Sequence, residues 1–117
     1  MRTIRRIAGQ SKGRSSGTVV GGFAWAVATS EIETDDFYQQ TVSTLQKIDR
    51  ILAEMDTDKS RAVTATVYIT DITHKDDMDR AWCEWVGDNP DNWPQRACVQ
   101  TGLHATDLVE VVVMAAL

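Results

Sequence analysis

The sequence has few of the residues that metal centres and disulfide frameworks need. Its 117 residues include two cysteines and two histidines. Cys83 and Cys98 do not stand at the spacings of metal ligands or of a disulfide framework, and no metal-ligand pattern surrounds His74 or His104. We therefore expect no metal site and a compartment in which thiols stay reduced.

Long apolar runs are also missing. No stretch approaches the roughly 20 apolar residues that cross a bilayer as a helix. The arginines near the N-terminus are followed by polar, glycine-rich sequence and not by the apolar segment of a signal peptide. These absences predict a cytoplasmic protein with no membrane partner.

Positive charge is scarce outside the N-terminal segment. Twelve lysines and arginines against 17 aspartates and glutamates give a net charge of −5, which argues against nucleic acid as a main partner. Residues 1–14 nevertheless hold five of the basic residues: Arg2, Arg5, Arg6, Lys12 and Arg14. Because Ile4 and Ile7 frame a short strand there, we expect a strand and a solvated loop instead of a basic arm.

The apolar pattern predicts one α+β domain over residues 1–117. Two short strands flank the Gly21–Gly22 turn. Helical spacing runs over residues 35–55, with Thr34 as a cap, and again from a Thr73 cap to Gly87. The predicted order is β-β-β-α-β-α-β-β, a mixed β-sheet with both helices on one face. The other face then needs a cover, which for a chain of this length is most simply another subunit.

The C-terminal stretch carries the charged residues that this pattern would bury. Alternation along a strand puts Arg96 and Cys98 on one face and Ala97 on the other. Glu110 is a lone carboxylate in the apolar run 108–117, where an ionised group is costly unless it is paired or functional. We expect the two strands to adjoin. Spacing alone leaves open a structural ion pair or a pocket that binds a carboxylate.

Several motifs in this chain resemble one family. The segments PQRACV and VEVVVMAA, together with ATVYITDI and MDRAWCEWV upstream, resemble the small, tryptophan-containing branch of the Rid (reactive intermediate deaminase, or YjgF) family over residues 14–117. The resemblance implies a chorismate-mutase-like fold and a homotrimer whose sheets form a barrel with clefts between subunits. It also implies hydrolysis of reactive enamines and imines, such as 2-imino acids, to keto acids and ammonia without a cofactor.

The resemblance implies roles for six residues. Arg96 would bind the substrate carboxylate, Glu110 would hold the attacking water, and Cys98 would line the pocket. Ala97, Trp25 and Ala28 would complete the substrate-binding surface. Two alternatives remain beside the imine or enamine deaminase: a trimeric module that binds a small carboxylate or keto acid without turnover, and an endoribonuclease, which the acidic balance disfavours.

Two family motifs are changed in the N-terminal third. Many deaminating members carry a tyrosine in a G-P-Y-S-x-A motif, near which this chain has Ser15 or Ser16. They also carry Ser-Gly-Gln after the third strand, where this chain has Val27, Ala28 and Thr29. The changes bear on substrate identity and, to a lesser degree, on catalysis itself. Arg96 by itself specifies only that the substrate carries a carboxylate.

Overall fold

The strands and helices follow one another in the predicted order. The computed structural model describes residues 3–117 and contains the following elements: β1 (Arg5–Ala8), β2 (Ser15–Val20), β3 (Phe23–Thr29), α1 (Phe37–Glu54), β4 (Ala62–Ile69), α2 (Lys75–Val86), β5 (Gln95–Gln100) and β6 (Val109–Ala116). Arg2, part of the basic N-terminal segment, lies outside the described residues. The α+β fold class is confirmed.

The six strands form one mixed sheet in the order β1-β2-β3-β6-β4-β5. The neighbours β4 and β5 are parallel because α2 crosses over between them. β6 lies between β3 and β4 and is antiparallel to both. The expectation that the strands of Arg96 and Glu110 adjoin is therefore wrong, since β4 separates β5 from β6.

Both helices cover the same face of the sheet, as predicted. Leu45 and Ile48 of α1 and Trp82 of α2 belong to one buried cluster with Val67 of β4 and Val111 of β6. Alternate residues of the central strands supply the sheet side of this core: Ala24, Ala26, Ala28, Ala65, Val67, Ile69, Val109, Val111, Val113 and Ala115.

The first helix packs closely against β2 at Gly17. A side chain at Gly17 would place its Cβ 2.9 Å from both Ile51 Cγ2 and Met55 Sδ. Glycine is therefore the residue that lets α1 approach the sheet at this point.

The helix starts differ in detail from the predictions. Asp36, not Thr34, caps α1, and its carboxylate accepts a hydrogen bond from Gln39 N at 2.9 Å. Before α2, a short 3₁₀ turn begins at Asp71, whose carboxylate caps Thr73 N. Thr73 is thus the capped residue and not the cap, and α2 starts two residues later.

Within residues 3–117, no helix packs on the second face of the sheet, here called the open face. Phe23 and Trp25 of β3 lie on it with 43% and 36% of their surface exposed, and Val112 and Met114 of β6 are half-buried there. Val63 is a further exposed apolar residue. Sequence alternation places it in the core with Ala65, but a register shift between Ala62 and Thr64 turns it outward.

Within residues 3–117, no helix is both long enough and apolar enough to cross a membrane.

Candidate active site

A cavity of about 590 Å³ lies where β2 begins, β3 ends and β6 begins. Its lining combines hydroxyl, amide, basic and acidic side chains with a few apolar ones: Gly9, Gln10, Ser11, Arg14, Ser15, Ser16, Val27, Ala28, Thr29, Lys47, His104, Asp107 and Glu110. The volume is in the range of small-molecule sites. We call it the main cavity.

Glu110 brings a carboxylate to the main cavity. Its backbone pairs with Thr29 of β3 and Tyr68 of β4. Because Val109 and Val111 beside it are fully buried against the helices, alternation puts Glu110 on the open face. Within residues 3–117 it forms no salt bridge and no side-chain hydrogen bond. A half-buried carboxylate without a protein partner can accept hydrogen bonds from a water or a ligand.

The changed family motifs meet at this same cavity. Ser15, Ser16 and Val27 all line it, together with Ala28. Ser15 and Ser16 open β2, and extending the β2–β3 register by one pair from Gly17 and Ala26 sets Ser16 opposite Val27. Sequence differences that lie far apart in the chain therefore alter one wall of one pocket.

Arg96 lies elsewhere. On β5 it sits beside Ala65, a core residue on the helix face, so its side chain is directed toward α2. Arg96 and Glu110 are thus on opposite faces of the sheet and two strands apart, about 10 Å between strand axes. One chain does not bring these two predicted catalytic residues together.

The guanidinium of Arg96 is held by α2. Its Nη2 donates to Asp79 Oδ1 at 2.7 Å, and the group lies 5.1 Å from the ring centroid of Trp82. Nη1 is 3.6 Å from Met78 Sδ, and 18% of the side chain is exposed. The predicted alternative of a structural ion pair between Arg96 and Glu110 is therefore wrong, because the partner of Arg96 is Asp79.

Asp79 is the residue of this region that the sequence interpretation missed. Burial by itself would raise its pKa, but hydrogen bonds from Lys75 and Arg96 and their charges together lower the pKa below its ordinary value. The available signal was helical spacing: Asp79 follows Lys75 by four residues and precedes Trp82 by three, so all three share one side of α2.

Cys98 shares the helix face with Arg96. It pairs with Val67 and packs against the core. Burial is the main cause that raises the pKa of its thiol, with the nearby Arg96 charge opposing that shift. A half-buried thiol of raised pKa is a poor source of the thiolate that covalent catalysis needs.

The remaining two predicted binding residues lie outside the main cavity. Ala97 is exposed on β5, where alternation sets it on the opposite face from Arg96. Trp25 is on the open face, with its ring centroid 6.4 Å from that of Phe23. Of the six predicted site residues, Ala28 and Glu110 line the main cavity.

The described part of the chain contains no group of three or more histidine, cysteine, aspartate or glutamate side chains placed to hold a metal ion.

A family model, curated relatives and solved structures all match this chain to one family. Residues 14–117 match the family model described as endoribonuclease L-PSP. A RutC family protein of Haemophilus ducreyi is 44% identical over 96 residues, which is 81% of this chain and 79% of the relative. The RutC family protein YoaB of Escherichia coli is 34% identical over 82 residues, 69% of this chain and 70% of the relative.

Solved structures have the same fold. A YjgF-family protein from Neisseria meningitidis superposes with a TM-score of 0.89 at 28% identity, covering 97% of this chain and 94% of the other. A protein from Salmonella typhimurium described as a putative translation initiation inhibitor gives 0.87 at 29% identity, covering 98% of each chain. These matches confirm the family resemblance and the fold inferred from the motifs.

Proposed function

The chain belongs to the family described as endoribonuclease L-PSP, with the YjgF and RutC proteins, and we propose that it hydrolyses 2-imino acids, or the enamines in equilibrium with them, to keto acids and ammonia. The observation that carries the proposal is the unpartnered carboxylate of Glu110 facing the main cavity. A carboxylate in that position can orient a water molecule and take its proton.

In this proposal two copies of the chain complete the site. Arg96 and Glu110 lie on opposite faces of one sheet, so the Arg96 that binds the substrate beside Glu110 comes from a second copy. Arg96 stands on β5, an edge strand, where a neighbouring chain can approach. We propose the homotrimer that the resemblance implies, with each site formed between two subunits.

The ion pair with Asp79 is compatible with substrate binding by Arg96. A guanidinium has five N–H donors, and Asp79 occupies one of them at Nη2. Nη1 meets only the weakly accepting sulfur of Met78. The remaining donors can bind a carboxylate, while Asp79 and Trp82 fix the plane of the group.

The reaction needs one water and no redox step. As the water oxygen bonds to the imine carbon, Glu110 takes one water proton, the π electrons of C=N pass to the nitrogen, and the nitrogen takes that proton from Glu110. In the resulting carbinolamine, Glu110 takes the hydroxyl proton and passes it to the amino nitrogen as C=O forms and the C–N bond breaks, so that ammonia leaves and the carboxylate is restored. Arg96 holds the carboxylate, and so keeps the imine carbon within reach of the water.

Binding of a small keto acid without turnover is the second candidate. The observation in its favour is the absence, at the cavity wall, of the tyrosine that many deaminating members carry, because Ser15 and Ser16 stand there. RNA cleavage, which the family description names, is opposed by the net charge of −5.

The experiment is ammonia release from imino acids that an amino-acid oxidase generates in place. Acceleration over the buffer rate is expected for the wild-type protein, and Arg96→Ala and Arg96→Lys should both remove most of it, since an ammonium cannot replace the planar fork. Arg80→Ala is the matched control, because Arg80 is an exposed arginine of α2 whose guanidinium lies 3.8 Å from the ring centroid of Tyr38 and which lines neither cavity. A flat response across the panel with saturable keto-acid binding would select the binding module.

A further inference from the structure

The main cavity contains more positive charge than the proposed reaction uses. Arg14 and Lys47 both line it, beside Glu110, Asp107 and the imidazole of His104. Within residues 3–117, neither Arg14 nor Lys47 lies within 4.0 Å of a carboxylate oxygen. The substrate carboxylate next to the imine is already assigned to Arg96 of a second copy, so these two cations have no role in the reaction as written.

Arg14 lines the same cavity as Glu110. It lies in the loop that directly precedes β2, next to Ser15 and Ser16, and all three residues line the main cavity together with Glu110. A short ligand held at Glu110 therefore shares its space with the Arg14 side chain.

Lys47 approaches from the helix layer. It is half-buried on α1 and lines both the main cavity and an adjoining one of about 400 Å³, which it shares with Thr29 and Asp107. Asp107, together with Glu31 and Glu33 of the adjoining cavity, gives that end negative charge. Arg14, by contrast, lines only the main cavity, together with Ser15 and Ser16. The two cations therefore reach one ligand space from different elements, α1 and the loop before β2.

We propose that the substrate carries a second anionic group, and that Arg14 and Lys47 bind it. This inference rests on the proposed function: the substrate class becomes short 2-imino dicarboxylates, with the first carboxylate on Arg96 of the neighbouring copy and the distal one between Arg14 and Lys47. Ser15 and Ser16 donate hydrogen bonds at the same wall. The serines that replace the family tyrosine then serve recognition of a more polar substrate.

Stable keto acids test this inference without turnover. We compare the equilibrium binding of 2-oxoglutarate with that of 2-oxopentanoate, which has the same chain length and lacks only the distal carboxylate. The dicarboxylate should bind at least about tenfold more tightly, the factor that one charge-assisted hydrogen bond supplies. The preference should fall toward unity in the Arg14→Gln/Lys47→Gln double variant and with rising salt.

Lys12→Gln is the matched control. Lys12 is an exposed cation two residues from Arg14 that does not line the cavity, so the tenfold preference should remain. Equal binding of the two keto acids, or a preference that survives the double variant, overturns the inference. If the preference is present but no imine is hydrolysed, the proposed reaction fails while the second anion site stands.

Discussion

The carboxylate of Asp79 binds Arg96 with one oxygen and Lys75 with the other. Oδ1 accepts a hydrogen bond from Arg96 Nη2 at 2.7 Å, and Oδ2 accepts one from Lys75 Nζ at 2.5 Å. Lys75 belongs to the same helix and Arg96 to the edge strand, so the carboxylate ties α2 to β5. Because Asp79 and Arg96 are mostly shielded from solvent, this contact is both a structural tie and the support of the arginine that we assign to the substrate.

Asp79→Asn should therefore weaken both folding and substrate binding. The loss of a charge-assisted hydrogen bond at this depth costs about 1–3 kcal/mol of unfolding free energy. Substrate KM should rise more than kcat falls, because Arg96 keeps its charge but loses its fixed orientation. Urea unfolding and steady-state kinetics measure the two effects, and an unchanged KM would contradict the positioning role.

The stabilising effect of Asp79 should also depend on pH. Its pKa in the folded protein is below the ordinary value of 3.8, so the unfolded chain takes up this proton first as pH falls. The contribution is complete well above pH 3.8 and is lost below it, through the folded-state pKa. The difference in unfolding free energy between wild type and Asp79→Asn should be constant from about pH 7 to 5 and shrink below about pH 4. A difference that persists undiminished in acid would point to lost packing instead.

Glu110→Gln should separate binding from chemistry. The amide keeps the shape of the side chain and removes the base, so hydrolysis should fall by about 10²-fold or more, while equilibrium binding of a keto acid remains. Circular dichroism confirms that the variant is folded. Undiminished hydrolysis would remove Glu110 from the mechanism.

Cys98 should not act as a nucleophile. Cys98→Ser is expected to keep substantial activity, and mass spectrometry of the wild-type protein during turnover should show no covalent adduct. The exposed Cys83 serves as an internal control: a thiol-directed reagent should label it before the half-buried Cys98, whose pKa is raised. An adduct at Cys98 that forms with substrate would reverse this assignment.

The open face should be covered by copies of the same chain. Phe23 and Trp25 expose large apolar surfaces there, and closed three-fold symmetry covers such a face in every copy. Light scattering should give about 39 kDa, three chains of 13.0 kDa, and dilution should lower activity together with assembly. An active species of 13 kDa would contradict both the trimer and the shared site.

The sequence predicted the elements well because each depends on local periodicity. Helical spacing located α1 and α2 within two residues at their starts, and Gly21 marked the β2–β3 hairpin. The family resemblance added the fold. Local patterns carry no information on which strands become neighbours, so the position of β6 between β3 and β4, and the resulting separation of Arg96 from Glu110, emerged only in three dimensions.

The candidate site was harder to predict for the same reason. Alternation correctly paired Arg96 with Cys98 on one face, yet it could not tell that the face was the helix-covered one. The partner of Arg96 is Asp79, 17 residues earlier in the chain, and the cations of the main cavity come from a loop and from α1. Their convergence depends on tertiary packing, which spacing along the chain does not encode.

Gly17 sets the spacing between α1 and β2 next to the main cavity. The contact between α1 and β2 has no room for a methyl group, since the missing Cβ would fall 2.9 Å from Ile51 and Met55. Ile51 is one helical turn after Lys47, and Gly17 directly follows Ser15 and Ser16. The spacing between α1 and β2 at Gly17 therefore affects the distance across the main cavity between Lys47 and these two serines. Gly17 does not line the main cavity, so we expect a larger residue at position 17 to change ligand selectivity by shifting α1 and not by contacting the ligand.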